Sequence, residues 1–173
     1  MLTSQIEGTQ TTLRDVLTYE ATQQSDRPDD VEEVCNYVEA LTYARKQLAD
    51  PKGLALSTRL LCNAHRLLMR GARGAEKQPG EIRRSQNWIG GTRPGNARFV
   101  PPPPEEVPDA LAALERWLHS NGPLPPLVRT GLAHVQFETI HPFLDGNGRI
   151  GRLLIALLIE HWGLSPLLGK PRR

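Results

Sequence analysis

Cysteine is scarce in this chain of 173 residues: Cys35 and Cys62 are the only two, which excludes a disulfide scaffold and favours a reducing compartment. No apolar run approaches the ~20 residues that a membrane span requires. Met1 to Glu7 carry no basic stretch followed by an apolar one, so no signal peptide is visible. An excess of one charge is lacking too. With 21 Lys and Arg against 19 Asp and Glu, the net charge of +2 is too small to argue for nucleic acid or a membrane surface as partner. What the chain does have is material for a core. Hydrophobic residues make up 39% and charged residues 23%, which places it among globular rather than disordered sequences. The expectation is a single-domain cytoplasmic protein.

Most of the chain reads with helical period. Thr12 and Asp15 have capping-box spacing. A long helix is predicted from Asp30 to Ala49, with Val31, Val34, Val38, Leu41 and Leu48 on or near one face. Ser57 can cap the next helix, which Gly71 stops. From Gly74 to Pro104 the helical period is lost. Trp88-Ile89 and Phe99-Val100 flank Gly90-Gly91-Thr92-Arg93-Pro94-Gly95-Asn96, a pattern for a β-hairpin or a hairpin-like loop. Helical period returns over Glu105–Leu118 and again over Leu127–Ile140. The latter is apolar on most sides and is predicted to be central. A last helix runs from about Asn147 to Trp162.

The stretch His141-Pro142-Phe143-Leu144-Asp145-Gly146-Asn147-Gly148-Arg149-Ile150-Gly151-Arg152 joins these last two helices. Gly146 and Gly148 free the backbone, so that consecutive N–H groups can form an anion nest at a helix N-terminus. Arg149 and Arg152, three apart, share a helical face, and two guanidinium groups beside a nest suit a polyphosphate. Asp145 is a hard oxygen ligand, and one carboxylate plus phosphate oxygens is the usual way to hold Mg²⁺. His141 can transfer a proton near neutrality. Together these residues describe transfer of a phosphate-bearing group to a hydroxyl. A calcium loop starting at Asp145 fails, because Arg149, Ile150 and Ala156 stand where ligands and a glycine are needed. No Gly-Lys-Ser or Gly-Lys-Thr exists for a Walker-type loop. The other histidines, His65, His119, His134 and His161, have no neighbours in the sequence to make a cluster and read as packing or surface residues.

His141 to Arg152 matches without a mismatch the core motif of the Fic domain family, His-x-Phe-x-(Asp or Glu)-Gly-Asn-Gly-Arg-x-x-Arg. Gly80-Glu81-Ile82-Arg83, Trp88-Ile89-Gly90-Gly91 and Phe99-Val100 with the four prolines after it resemble the approach to that family's β-hairpin flap and the flap itself. Thr3-Ser4-Gln5-Ile6-Glu7-Gly8 resembles its inhibitory motif, (Ser or Thr)-x-x-x-Glu-(Gly or Asn), in the class that carries the inhibitor N-terminally.

The resemblance implies an all-α fold, a Fic-type helical bundle with a β-hairpin flap. It divides the chain into an inhibitory segment, 1–24, and a core domain, 25–173. It also implies a protein adenylyltransferase that moves AMP from ATP to a Ser, Thr or Tyr hydroxyl. On this analogy His141 is the base and Asp145 holds Mg²⁺. Gly146, Asn147 and Gly148 bind the α- and β-phosphates, and Arg149 and Arg152 the outer ones. Ile89, Gly90 and Gly91 border the nucleotide and hold the target protein by strand-like pairing. Thr3 and Glu7 belong to the inhibitor, with Glu7 aimed at Arg152. Alternatives on the same fold are removal of AMP, transfer of another phosphate-bearing group, and a non-catalytic nucleotide-binding module. Family members of this class usually continue past the motif helix, whereas this chain stops at Arg173, so a trimmed chain and a short natural protein are both open. Assembly state is open as well, a homodimer included.

Overall fold

Ser57 shows how the sequence sets local structure here. Its hydroxyl accepts a hydrogen bond from the Leu60 N–H (3.3 Å) and so satisfies one of the donors that a helix start leaves unpaired. The computed structural model describes residues 28–71 and 76–164, which form five α-helices. These are α1 (Pro28–Ala49), α2 (Thr58–Leu68), α3 (Val107–His119), α4 (Pro126–Ile140) and α5 (Asn147–His161). The capping pair Thr12 and Asp15, the inhibitory Thr3 and Glu7, and the whole 1–24 segment lie outside the described residues. No helix among the described residues is long and apolar enough to cross a membrane.

The centre of the bundle is α5. Ile150, Leu153, Leu154, Leu157 and Leu158 are all fully buried, so this helix is covered on nearly every side. It packs on α4, α1 and α2, while α3 packs on α4 and α2. The central position predicted for α4 is therefore corrected. That helix buries Thr130, Ala133, Phe137 and Ile140, and it exposes Leu127, Val128, Leu132 and Val135 on the other side. An apolar helix states that it can be buried, not by what; α5 occupies the middle because its leucines are flanked by three partners.

On α1 the predicted face is buried except at one position. Val31 and Val34 are in the core and Leu41 and Leu48 pack against it, but Val38 is 56% exposed. Glu33, Asn36, Ala40 and Ala44 are buried as well. Two of these are polar and each has a partner. Asn36 Nδ2 donates to the Arg70 carbonyl (2.5 Å), and Glu33 faces Arg149. The polar groups are buried beside the apolar ones because each is satisfied there.

The segment between α2 and α3 forms no strand among the described residues. A single antiparallel bridge, Ile89 with Phe99, closes it: Ile89 N–H donates to the Phe99 carbonyl (2.9 Å), and the Ile89 carbonyl accepts from Arg98 N–H (2.9 Å). Of the two forms predicted, the hairpin-like loop is the one present. Asn96 stabilises its tip, where Oδ1 accepts from the Thr92 and Arg93 N–H groups (3.0 Å each).

Candidate active site

The α4–α5 loop is built around an unusual residue. His141 ends α4 in the left-handed region (φ 49°), a conformation uncommon outside glycine, though histidine adopts it more readily than most residues. Its N–H still bonds the Phe137 carbonyl (2.9 Å), and its own carbonyl accepts from Arg83 Nε (2.8 Å). Such strain persists only where the surroundings enforce it. Arg83 is the principal enforcer. It is 1% exposed, and besides the His141 carbonyl it donates to the carbonyls of Ser85 (3.1 Å), Pro102 (2.6 Å) and Ile140 (3.3 Å). One guanidinium thus ties the end of α4 to both sides of the hairpin-like loop. Arg83 N–H to the Pro142 carbonyl (2.9 Å) and Asn87 Nδ2 to the Phe143 carbonyl (3.1 Å) complete the seam.

The His141 ring is mostly buried, its side chain 18% exposed. Burial lowers its pKa from 6.5, and the Arg83 charge acts the same way. The Glu138 backbone and the Asp145 carboxylate oppose them. The imidazole is therefore neutral at pH 7, the form a base requires. Glu138 Oε2 lies 4.0 Å from its Nδ1, and Glu138 Oε1 lies 4.0 Å from His134 Nδ1. Gly151 makes room for this group: a Cβ there would fall 2.1 Å from Glu138 Oε1 and 3.0 Å from the His134 ring.

Asn147 does something the motif did not announce. Its side chain, 2% exposed, closes the loop internally. Oδ1 accepts from the Phe143 N–H (2.9 Å), and Nδ2 donates to the Phe143 carbonyl (2.8 Å). Any contact of Asn147 with an anion is thus left to its backbone. Gly146 (φ 74°) is the N-cap of α5, and no side chain caps the helix there, so the first-turn N–H groups and the helix dipole mark the entry to α5. The glycine is required by space as well as by φ, because a Cβ would sit 2.8 Å from Met69 Sδ.

Asp145 has its side chain 45% exposed at the rim. One oxygen, Oδ1, accepts from the Gly146 N–H (2.5 Å) and lies 3.6 Å from Arg149 Nη2. Arg149 is turned inward, 6% exposed, with its Nη1 3.6 Å from Glu33 Oε1. Arg152 lies near Tyr37 of α1, whose hydroxyl pKa burial raises and the charge of Arg152 lowers. The structure thus brings His141, Asp145, Gly146, Asn147, Gly148, Arg149 and Arg152 together at one helix junction. Ile89, Gly90 and Gly91 stand on the exposed hairpin-like loop anchored to it. Three residues at the site do not stand out in the sequence. Arg83 belongs there only to a flanking motif. His65 has no sequence neighbour that marks it, yet it is fully buried on α2 and bonded to the Asp145 carbonyl (2.9 Å). His134 likewise has a partner at the site, Glu138.

As for Mg²⁺, an exposed carboxylate at an uncapped helix start is a hard-oxygen donor suited to it. No group of three or more His, Cys, Asp or Glu forms a cage among the described residues. A one-carboxylate site of this kind takes the ion together with the oxygens of a phosphate chain.

Residues 55–159 match the family described as Fic/DOC family, and residues 1–46 match the one described as Fic/DOC family N-terminal. The protein adenylyltransferase Fic of Drosophila yakuba is 40% identical over 91 residues, covering 51% of this chain and 17% of that protein. A protein of Aquifex aeolicus named "Probable protein adenylyltransferase" is 42% identical over 66 residues, covering 38% of this chain and 21% of its own. The chain thus matches about a fifth of the length of these curated relatives. A Fic family protein of Desulfovibrio desulfuricans G20 superposes with a TM-score of 0.74 at 32% identity, over 96% of this chain and 48% of that one. A Fic domain containing signaling protein of Bacteroides thetaiotaomicron reaches 0.77 at 23% identity, over 93% and 60%, a likeness of fold.

Proposed function

The chain belongs to the Fic/DOC family, and from that premise we propose that it is a protein adenylyltransferase, moving AMP from ATP to a hydroxyl of a target protein. The observation that carries the reading is the α4–α5 junction. A neutral, buried imidazole, an exposed carboxylate and an uncapped helix N-terminus are locked in one loop by Arg83 and Asn147. A target hydroxyl placed at His141 gives up its proton to the imidazole as its oxygen bonds the α-phosphorus. The bond from that phosphorus to the bridging oxygen of the β-phosphate breaks, and pyrophosphate leaves with the electron pair. The Asn147 and Gly148 N–H groups at the start of α5 face the charge on the phosphates, while the Gly146 N–H is held by Asp145 Oδ1. Arg152 clamps the outer phosphates. Arg149, set deeper, holds Asp145 and adds positive charge beneath the loop. Mg²⁺ held by Asp145 and the phosphates supplies charge neutralisation when bound. The exposed Trp88, Ile89, Phe99 and Val100 offer the target a partly apolar, strand-like edge.

Control is assigned to the N-terminal segment 1–24. Glu7 paired with Arg152 would take that guanidinium from the outer phosphates, and the spacing of four would put Thr3 on the same face of a helix. The test is incubation with ATP labelled at the α-phosphate and a lysate, using wild type and Glu7→Gly, followed by mass analysis of any labelled protein. An adduct of AMP mass on a Ser, Thr or Tyr supports the reading. Binding of ATP without transfer by either protein contradicts it and favours a regulatory module. Loss of AMP from a modified target favours the reverse reaction.

A further inference from the structure

His65 belongs to α2, 80 residues before the loop it touches, and lies fully buried. Both ring nitrogens are engaged. The Gly80 N–H donates to Nδ1 (2.7 Å), so Nδ1 carries no proton, and Nε2–H must be the donor to the Asp145 carbonyl (2.9 Å). The ring stacks on Phe143, with centroids 3.9 Å apart and planes 4° from parallel. Two glycines in the left-handed region meet at this ring. Gly146 lies against it, where a Cβ would come 3.1 Å from Nε2. Gly80 (φ 83°) is pressed on α2, where a Cβ would come 3.0 Å from the Cys62 carbonyl.

The consequence follows from the planarity of the peptide group. The Asp145 carbonyl and the Gly146 N–H belong to one rigid trans unit and point in opposite directions. A grip on the carbonyl therefore fixes the direction of the N–H. That N–H donates to Asp145 Oδ1 (2.5 Å) and so turns the carboxylate. We propose that His65 is a positioning residue of the transfer site: through the Asp145–Gly146 peptide it aims the Asp145 carboxylate, and through Gly80 it holds the approach to the flap at a fixed distance from that carboxylate. The proposal rests on the adenylyltransferase reading for its effect on activity, but its geometric part does not.

Two variants separate the two bonds. His65→Gln places an amide N–H where Nε2 was and keeps a donor for Asp145. His65→Asn places an amide oxygen near Nδ1 and keeps an acceptor for Gly80. In the full chain without metal or nucleotide, the Gly146 amide resonance and its exchange rate should resemble wild type in His65→Gln and change in His65→Asn, while Gly80 should show the opposite pattern. In transfer assays the Mg²⁺ concentration for half-maximal rate should rise about 10- to 100-fold in His65→Asn, the usual effect of losing a partner behind a ligand. His65→Gln should recover most of that loss. A residue that only fills space would lower the melting temperature of both variants without moving the Mg²⁺ requirement or separating the two amides. An unchanged Gly146 amide in both variants overturns the proposal, even if transfer is seen. Absence of transfer by wild type and Glu7→Gly, with the amide pattern as stated, overturns the enzymatic reading and leaves the positioning geometry supported.

Discussion

Acid should unfold this protein earlier than its carboxylates alone would dictate, and His65 is the reason. Its imidazole is fully buried and already receives an N–H from Gly80, so an added proton on Nδ1 would face a donor. Burial is the main cause that pushes its pKa down from 6.5 to about 4, with the charge of Arg149 helping and the Asp145 carbonyl opposing. The unfolded chain, with the ordinary value, then binds more protons than the native one between those two pH values, and stability must rise with pH across that window. The contribution is intact above pH 6.5 and is lost as pH falls towards 4. At about 1.36 kcal/mol per pKa unit, the cost relative to pH 8 is about 2 kcal/mol at pH 5 and about 3 kcal/mol at pH 4. Against a typical domain stability of about 5–15 kcal/mol, this is a large share. Urea unfolding of wild type and His65→Gln at pH 8, 6.5 and 5 measures it directly. The variant starts less stable, but its curve against pH should be flatter than that of wild type by about 2 kcal/mol between pH 8 and pH 5. Other titrating groups are common to both proteins and cancel. Parallel curves would refute the reasoning, since a buried histidine held neutral cannot be replaced without changing the proton count.

Other consequences can be checked separately. Burial lowers the pKa of His141 from 6.5, so the acid limb of kcat/KM for transfer should lie below pH 6.5; a limb above that value would mean another base. Arg83→Met should cost about 3 kcal/mol or more in urea unfolding, because several buried or half-buried carbonyls lose one donor together; a loss under about 1 kcal/mol would show that water replaces it. Glu7→Gly should raise transfer by about 10- to 150-fold, the worth of a charge-assisted contact of ~1.5–3 kcal/mol. Arg152→Ala should stay low with or without Glu7→Gly, and rescue of the double variant would break the assigned pairing.

The loop from His141 to Arg152 was legible because its parts are neighbours in the chain. Spacing alone puts two arginines on one face and glycines at a helix start, and no distant contact is needed to see it. Ser57 and the boundaries of α2 were legible for the same reason. What spacing does not carry is the second half of a long-range contact. Arg83 reaches the His141 carbonyl across 58 residues, and His65 reaches the Asp145 carbonyl across 80. The one available signal for His65 was a histidine among the buried leucines of an amphipathic helix, a place where its polar atoms must find partners. The partner itself could not be read. The orientation of α4 was hidden by its composition, since a helix apolar on most sides offers no contrast to orient it. On α1 nothing in the spacing marks Glu33 as buried, because its partner Arg149 is far along the chain. The hairpin was uncertain because a single bridge, Ile89 with Phe99, needs little more pattern than a loop does.

The imidazole of His141, at the end of α4, is the proposed base of the adenylyl transfer. The direct measurement compares Glu7→Gly with Glu7→Gly/His141→Ala, following label from the α-phosphate of ATP into protein and, on the same samples, nucleotide affinity by calorimetry. The second protein should bind Mg²⁺–ATP about as well as the first but transfer AMP about 10²–10⁴-fold more slowly. Equal rates of AMP incorporation in the two proteins would contradict it.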